Sequence, residues 1–280
     1  MHHRLIALYP QPKRILSAAI IIMAICHAGV YCQASPPTTL SAKKAAYPKK
    51  LDSEALLRQA LDQCQRNIHD YTCLFTRQER IKGQLSKQQT IKVYFRESPR
   101  TIQMVWVTNP DRVRRALYQE GKYFNKIGEE LLLVEPAGLI ARAIAPTVFT
   151  PVRGKKARSA ARHTVDQFGF LSILKRITNV NAIAKKKGDL TLTLIGEGQF
   201  YARPTYRMVR RLRTNGKQRY TDPHLVIELD QQWLIPVSIR SYDDADATKL
   251  LGAYTFRDIK MGNTLPNGTF IFKRNAVAMR

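Results

Sequence analysis

The sequence is poor in negative charge. Aspartate and glutamate number 21 against 46 lysines and arginines, a formal net charge of +25 over 280 residues. Such a balance predicts attraction to anionic surfaces, whether nucleic acid, phospholipid headgroups or acidic polymers, without choosing among them. Long apolar runs are also scarce. The uncharged stretch 15–26 falls short of the roughly 18 apolar residues that a membrane span needs. Cysteine is rare, with four residues in all, and no cysteine or histidine pair has metal-ligand spacing, so a structural zinc site is not expected. Gly-x-Ser-x-Gly, His-Glu-x-x-His and a phosphate-cradling Gly-Lys-Ser/Thr are all missing. No nucleophile, base and orienting group can be assembled, so no catalytic residues, metal or cofactor are assigned and a secreted hydrolase ranks last.

What is present at the N-terminus decides between the anionic partners. Arg4, Lys13 and Arg14 precede the apolar stretch, the pattern of a secretory signal peptide. Small residues allow cleavage after Ala34 or after Ala28, with Ala34 favoured; a retained anchor is the alternative. Ile25 and Tyr31 are too bulky to precede a lipidated cysteine. Cleavage at Ala34 removes three positive charges and leaves +22. Export to the periplasm or beyond makes nucleic acid an improbable partner and keeps an anionic membrane surface in view. It also puts Cys64 and Cys73 where disulfides persist, so a bridge between them and two small buried thiols are both open.

The expected layout is a signal peptide at 1–34, a flexible basic linker at 35–50, one domain at 51–274 and a tail at 275–280. The linker mixes Pro36, Pro37 and Pro48 with unpaired lysines and offers no apolar face. A helix follows over 52–68, with Asp52 as N-cap and Leu57, Leu61, Cys64 and Ile68 at spacings of four, three and four. From Tyr71 the period becomes two. Runs 71–81 and 84–96 flank Lys82-Gly83 as a hairpin, with Ile91, Val93 and Phe95 on one face. Further strands are expected at 101–108, 115–120, 123–127 and 131–134. The middle holds a short helix over 138–145, a mobile basic loop from Arg153, and an amphipathic helix over 165–184 carrying Phe170, Leu174 and Ile177. Strands resume at 190–194, 206–214 (turning at Asn215-Gly216), 225–229, 237–242, 253–259 and 270–272. Without βαβ alternation this predicts an α+β fold. Its core is a single strongly curved antiparallel sheet, an incomplete β-barrel covered on its concave side by helices.

Three places carry candidate chemistry. Ile102, Met104, Trp106, Leu192 and Leu194 are the expected lining of an apolar groove, with ordinary core packing the plainer alternative for each. Arg207, Arg211 and Arg213 share one face of a strand and form a candidate patch for an anionic partner, solvation being the default. The basic loop 153–162 could meet anionic headgroups. Asp243, Asp244 and Asp246 read as a solvated hairpin tip rather than a calcium loop, and Asn267-Gly268-Thr269 as a chance sequon.

Three stretches, taken in order, resemble the domain of unknown function 1571, a family of exported proteins. The first is Tyr71-Thr72-Cys73 through Arg77-Gln78-Glu79-Arg80 to Gly83. The second is His163-Thr164-Val165 with Phe168-Gly169-Phe170. The third runs from Leu229-Asp230 through Pro236 to Tyr242-Asp243, Tyr254-Thr255-Phe256 and Gly262-Asn263. More distantly, a leading helix, a curled sheet and a closing Phe270-x-Phe272 are similar to the periplasmic lipoprotein-carrier fold. That resemblance implies an apolar cavity plugged by helices and a lipid or lipoprotein ligand. The high basic charge and the 153–162 insertion depart from the carriers. The expected function is therefore an exported, non-catalytic binding protein for an acyl chain or a lipidated protein. An envelope structural or regulatory protein, docking through its basic sheet face, is the alternative.

Overall fold

The computed structural model describes residues 52–214, 220–244, 246–262 and 264–272, together with the backbone of 276–277. The expected signal peptide and linker, and the turn at Asn215-Gly216, lie outside these residues. Among the described residues no helix is long and apolar enough to cross a membrane.

The chain opens with α1 (Ser53–Asn67), where the Asp52 carboxylate accepts the backbone N–H groups of Glu54 and Ala55 at 3.4 and 3.0 Å. These bonds satisfy donors that the first turn leaves free. The buried side of α1 is Leu56, Leu57, Ala60 and Cys64.

The strands make one open sheet. From β1 (Asp70–Ile81) the chain meanders outward through β3 (Gln89–Arg96), β4 (Thr101–Thr108), β5 (Val113–Gln119), β6 (Leu131–Pro136) and, after the short helix α2 (Leu139–Ile144), β7 (Thr147–Pro151). A second meander starts at β8 (Leu190–Phe200) and returns through β9 (Arg203–Leu212), β10 (His224–Asp230) and β11 (Pro236–Tyr242) to β12 (Leu250–Met261). β12 then pairs with β1, from Tyr71 opposite Met261 to Glu79 opposite Gly252. The two-residue β2 (Gln84–Leu85) pairs only with β1, and β13 (Ala276–Val277) adds to β7 as the one parallel pair among the described strands. β7 and β8, neighbours in sequence, thus stand near opposite edges of the sheet. Their connection carries α3 (Lys155–Ala160), a 3₁₀ turn at Val165–Gln167 and α4 (Phe170–Lys186).

Alternation sorts the side chains by face. Ile91, Val93 and Phe95 of β3 are essentially fully buried. They join α1, α4 and side chains of both meanders in one apolar cluster. At its centre the Tyr71 ring stacks between Phe95 and Phe170, each at 4.6 Å, and Phe75 stacks on Phe256 at 5.0 Å. Such contacts add about 0.5–1.5 kcal/mol per pair beyond burial. α1 packs on α4, and Lys185 Nζ reaches the Glu54 carboxylate at 2.8 Å between the two helices. On the other face Leu117 and Leu133 form a smaller cluster with Leu265, Phe270 and Phe272.

Several expectations are corrected. Residues 123–127 make no strand, only the bridge Phe124 to Glu130, because Gly121 and Gly128 turn the backbone at both ends. The basic stretch after Arg153 is the helix α3 rather than a loop. The expected helix over 165–184 begins instead at Phe170. Gly169, at φ +116°, separates it from the 3₁₀ turn, in a conformation that side-chain-bearing residues avoid. Residues 270–272 are not a strand. A 3₁₀ turn ends at Phe270, and the two phenylalanines lie over the outer face of the sheet, where Arg96 and Arg115 cover their rings at 4.9 and 4.2 Å. For Cys64 and Cys73, where a bridge and two buried thiols were both open, the structure has the second: both are buried free thiols. Burial pushes the Cys64 thiol up to about 12 and raises Cys73 as well.

Candidate functional site: a cavity with an apolar wall and a basic end

A cavity of about 710 Å³ lies between one face of the sheet and the connection that carries α3 and α4. Its walls come from both meanders. Strands β3 to β6 contribute Ile91, Met104, Trp106, Ala116, Leu132 and Val134, and α4 contributes Ile173, Ile177 and Val180. The far side is made by Leu225, Ile239, Tyr254 and Phe256 of β10 to β12. The α4 positions recur at spacings of four and three, which is why one stripe of the helix faces the space.

Of the five expected lining residues, Met104 and Trp106 line the cavity. The Trp106 indole N–H is held by Gln89 Oε1 at 3.3 Å, leaving the ring to the interior. Ile102 is wholly buried in the core, while Leu192 and Leu194 are half-buried on β8 and pack against it. These three do not line the cavity. Arg207 and Arg211 on β9, and Arg213 just beyond its end, are exposed, but two of the three are engaged. Arg207 Nε donates to Glu228 Oε1 at 2.6 Å, and Arg213 donates to the Gly188 carbonyl at 2.6 Å beside Asp189. Arg211 alone of the three has no described carboxylate partner.

One end of the cavity is polar. Asp222 accepts from Arg162 Nη2 at 2.7 Å and from the Ser241 hydroxyl. Burial alone would raise this carboxyl, yet the Ser241 and Arg162 bonds hold it below the ordinary range. Tyr254 donates its hydroxyl to Glu79 Oε1 at 2.8 Å, and Arg77 Nη1 lies 3.3 Å from Glu79 Oε2. Burial, then the Glu79 charge, keeps the Tyr254 phenol protonated. His163, beside the Tyr254 ring at 6.0 Å, is pushed down to about 4 by burial and by the Arg176 charge. Arg210, only 2% exposed, donates to Asn181 Oδ1 at 3.2 Å and to the Asp222 carbonyl. A second, smaller cleft shares Ser159, Ala161, Arg162, Thr164 and Gln167 with the cavity and adds Arg80, Lys82, Arg153 and Arg158.

This basic end escaped the sequence reading, although two signals mark it. In β9 the inward positions 206, 208, 210 and 212 are Tyr, Met, Arg and Leu, so Arg210 interrupts an apolar face. In α4 the stripe Ile173, Arg176, Ile177, Val180 is broken in the same way.

Comparison with known proteins places this arrangement. The family model described as "Protein of unknown function (DUF1571)" matches residues 68–277. The chain belongs to the DUF1571 family. No curated protein matches this DUF1571 chain in sequence. Among solved structures, MucB is similar at 12% identity and a TM-score of 0.50, covering 82% of this chain and 66% of MucB. The chain thus spans just under two thirds of MucB, a protein also solved in complex with MucA from Pseudomonas aeruginosa. A LolA superfamily protein from Nitrosomonas europaea matches at 10% identity and a TM-score of 0.33, covering 80% of this chain and 99% of that one. The Mycobacterium tuberculosis lipoprotein LppX matches at 8% and 0.36, covering 74% and 93%. At such identities the likeness is one of fold. The structural neighbours of this DUF1571 protein are lipoprotein-carrier-fold proteins.

Proposed function

We propose that this DUF1571 protein is an exported, non-catalytic binding module that takes an acyl chain, free or attached to a protein, into the cavity between sheet and α4. One observation carries the reading: apolar side chains from both meanders converge with the α4 stripe on a single space of about 710 Å³. That volume lies inside the range of about 300–1,000 Å³ usual for small-molecule sites. Strands near both edges of an open sheet can meet round one space only if the sheet bends. In this reading the sheet is an incomplete barrel and α4 covers its concave side. The carrier fold of the neighbours agrees with this use.

The polar end supports binding over catalysis. The Ser241 hydroxyl is spent on Asp222, and His163 is engaged with Gln167 and lies against a tyrosine ring rather than a hydroxyl nucleophile. Docking through the basic sheet face has less support, because Glu228 and Asp189 already engage Arg207 and Arg213.

Native mass spectrometry of the full chain after detergent-free purification tests the proposal. A retained lipid mass, lost on organic extraction and regained on adding fatty acid, is expected. A chain that is empty and takes up no fatty acid would overturn it.

A further inference from the structure

The cavity lining has too much positive charge for its own carboxylates. Arg77, Arg112, Lys156, Arg162, Arg176 and Arg210 face it, against Glu79 and Asp222. Both carboxylates are already taken, Glu79 by Arg77 and Tyr254, Asp222 by Arg162 and Ser241. Arg210 is therefore left with neutral partners, an asparagine oxygen and a backbone carbonyl, and its Nε is buried with no partner at all. Arg176, on the adjoining wall, feels Asp222 only at a distance. Buried guanidinium groups are costly unless paired, and paired oxyanions are their geometric complement. A water could complete the hydrogen bonding of Arg210, but it would add no negative charge, and Asp222, the one carboxylate whose field reaches Arg210, is already bonded to Arg162.

We propose that Arg210 and Arg176, with Arg162 beside them, form a seat for the oxyanion of an amphiphile whose hydrocarbon chain runs along the apolar wall. The assignment rests on the binding reading above and narrows it. The occupant is a lipid with a phosphate or carboxylate head, rather than the uncharged glyceride end of a lipidated protein. Head and tail sites are contiguous, because the same stripe of α4 carries Arg176 together with Ile173, Ile177 and Val180 to one space. Burial and the neighbouring Arg176 lower the Arg210 value to about 10, so the group remains charged at neutral pH and available to an anion.

Calorimetric titration of the delipidated full chain with laurate, lauryl phosphate and uncharged monolaurin tests this. Both anions are expected to bind at least about ten-fold more tightly than monolaurin, the scale of one charge-assisted contact. Arg176→Gln should close most of that gap without weakening monolaurin. Lys126→Gln, at an exposed position that lines neither the cavity nor the adjoining cleft, should leave the gap intact. The stronger of the two anions distinguishes a phosphate from a carboxylate head. Equal binding of all three lipids to the native chain would overturn the anion seat and leave the cavity reading standing. No binding of any would overturn both. Should Arg176→Gln not fold by circular dichroism, discrimination by the native chain decides alone.

Discussion

A Cβ placed on Gly169 would lie 2.7 Å from two ring atoms of Phe95, closer than any real side-chain contact. The glycine also holds φ at +116°, and the Phe95 ring is held by its stacking on Tyr71 at 4.6 Å. Gly169→Ala is therefore expected to destabilise the fold by about 2–4 kcal/mol through strain and overpacking together. Urea unfolding at neutral pH checks this. A loss under about 1 kcal/mol would mean that the 3₁₀ turn and α4 can separate from β3 without cost.

His163 should make stability depend on pH in a defined window. Its folded value of about 4 lies below the ordinary 6.5, because burial and then Arg176 disfavour the charged ring, Arg162 adding to them, against Asp222 and Gln167. The unfolded chain therefore takes up a proton where the folded chain does not. Stability from this group is complete above about pH 6.5, falls as pH drops toward 4, and then levels off. The full difference corresponds to about 3 kcal/mol. In His163→Gln, the slope of unfolding free energy against pH over that interval should be shallower than in the native chain by this amount. Parallel slopes would mean that the imidazole is hydrated.

Val134 is half-buried and borders the cavity from β6. Val134→Trp is expected to fill open space rather than displace packed atoms, so the melting temperature should move by only a few degrees. The fatty acid retained in native mass spectra should drop to background. Undiminished lipid in a folded Val134→Trp chain would place the acyl site elsewhere.

The cysteines give a chemical test of the fold. Cys64 on α1 and Cys73 on β1 are free, buried and held protonated by their surroundings. A thiol reagent at pH 8 should leave both unmodified in the native chain and modify both in urea. A reductant should not alter the melting temperature. No thiol appearing on unfolding would show that the pair is oxidised.

Much of the sheet was legible because its strands alternate cleanly. Ile91, Val93 and Phe95 announced the inner face of β3, and the spacing of Leu57 and Cys64 announced the buried side of α1. The failures share a cause. Arg153 to Arg162 reads as a charged loop, yet α3 needs no apolar stripe of its own, since none of its residues is buried. Phe270 and Phe272 alternate like a strand but are drawn over the outer face by Leu117, Leu133 and two arginines, contacts that local pattern does not encode. Apolar alternation pointed equally to Met104 and Trp106, which border the cavity, and to Ile102, Leu192 and Leu194, which do not, because it marks burial and not which buried side chains meet open space. Arg210 was hidden because neighbouring arginines on the outward positions of β9 made it look like one more surface charge.

The pairing of β1 with β12 has a consequence for how the chain is made. Residue 71 meets residue 261 across the seam between the two meanders, so one of the earliest strands to leave the ribosome waits for one of the last. Until then each half presents a raw edge and an oily flank, a state prone to sticking to other chains. Assembly should accordingly be slow and intolerant of C-terminal truncation before β12, and a holding chaperone should matter more to its yield than to its final stability.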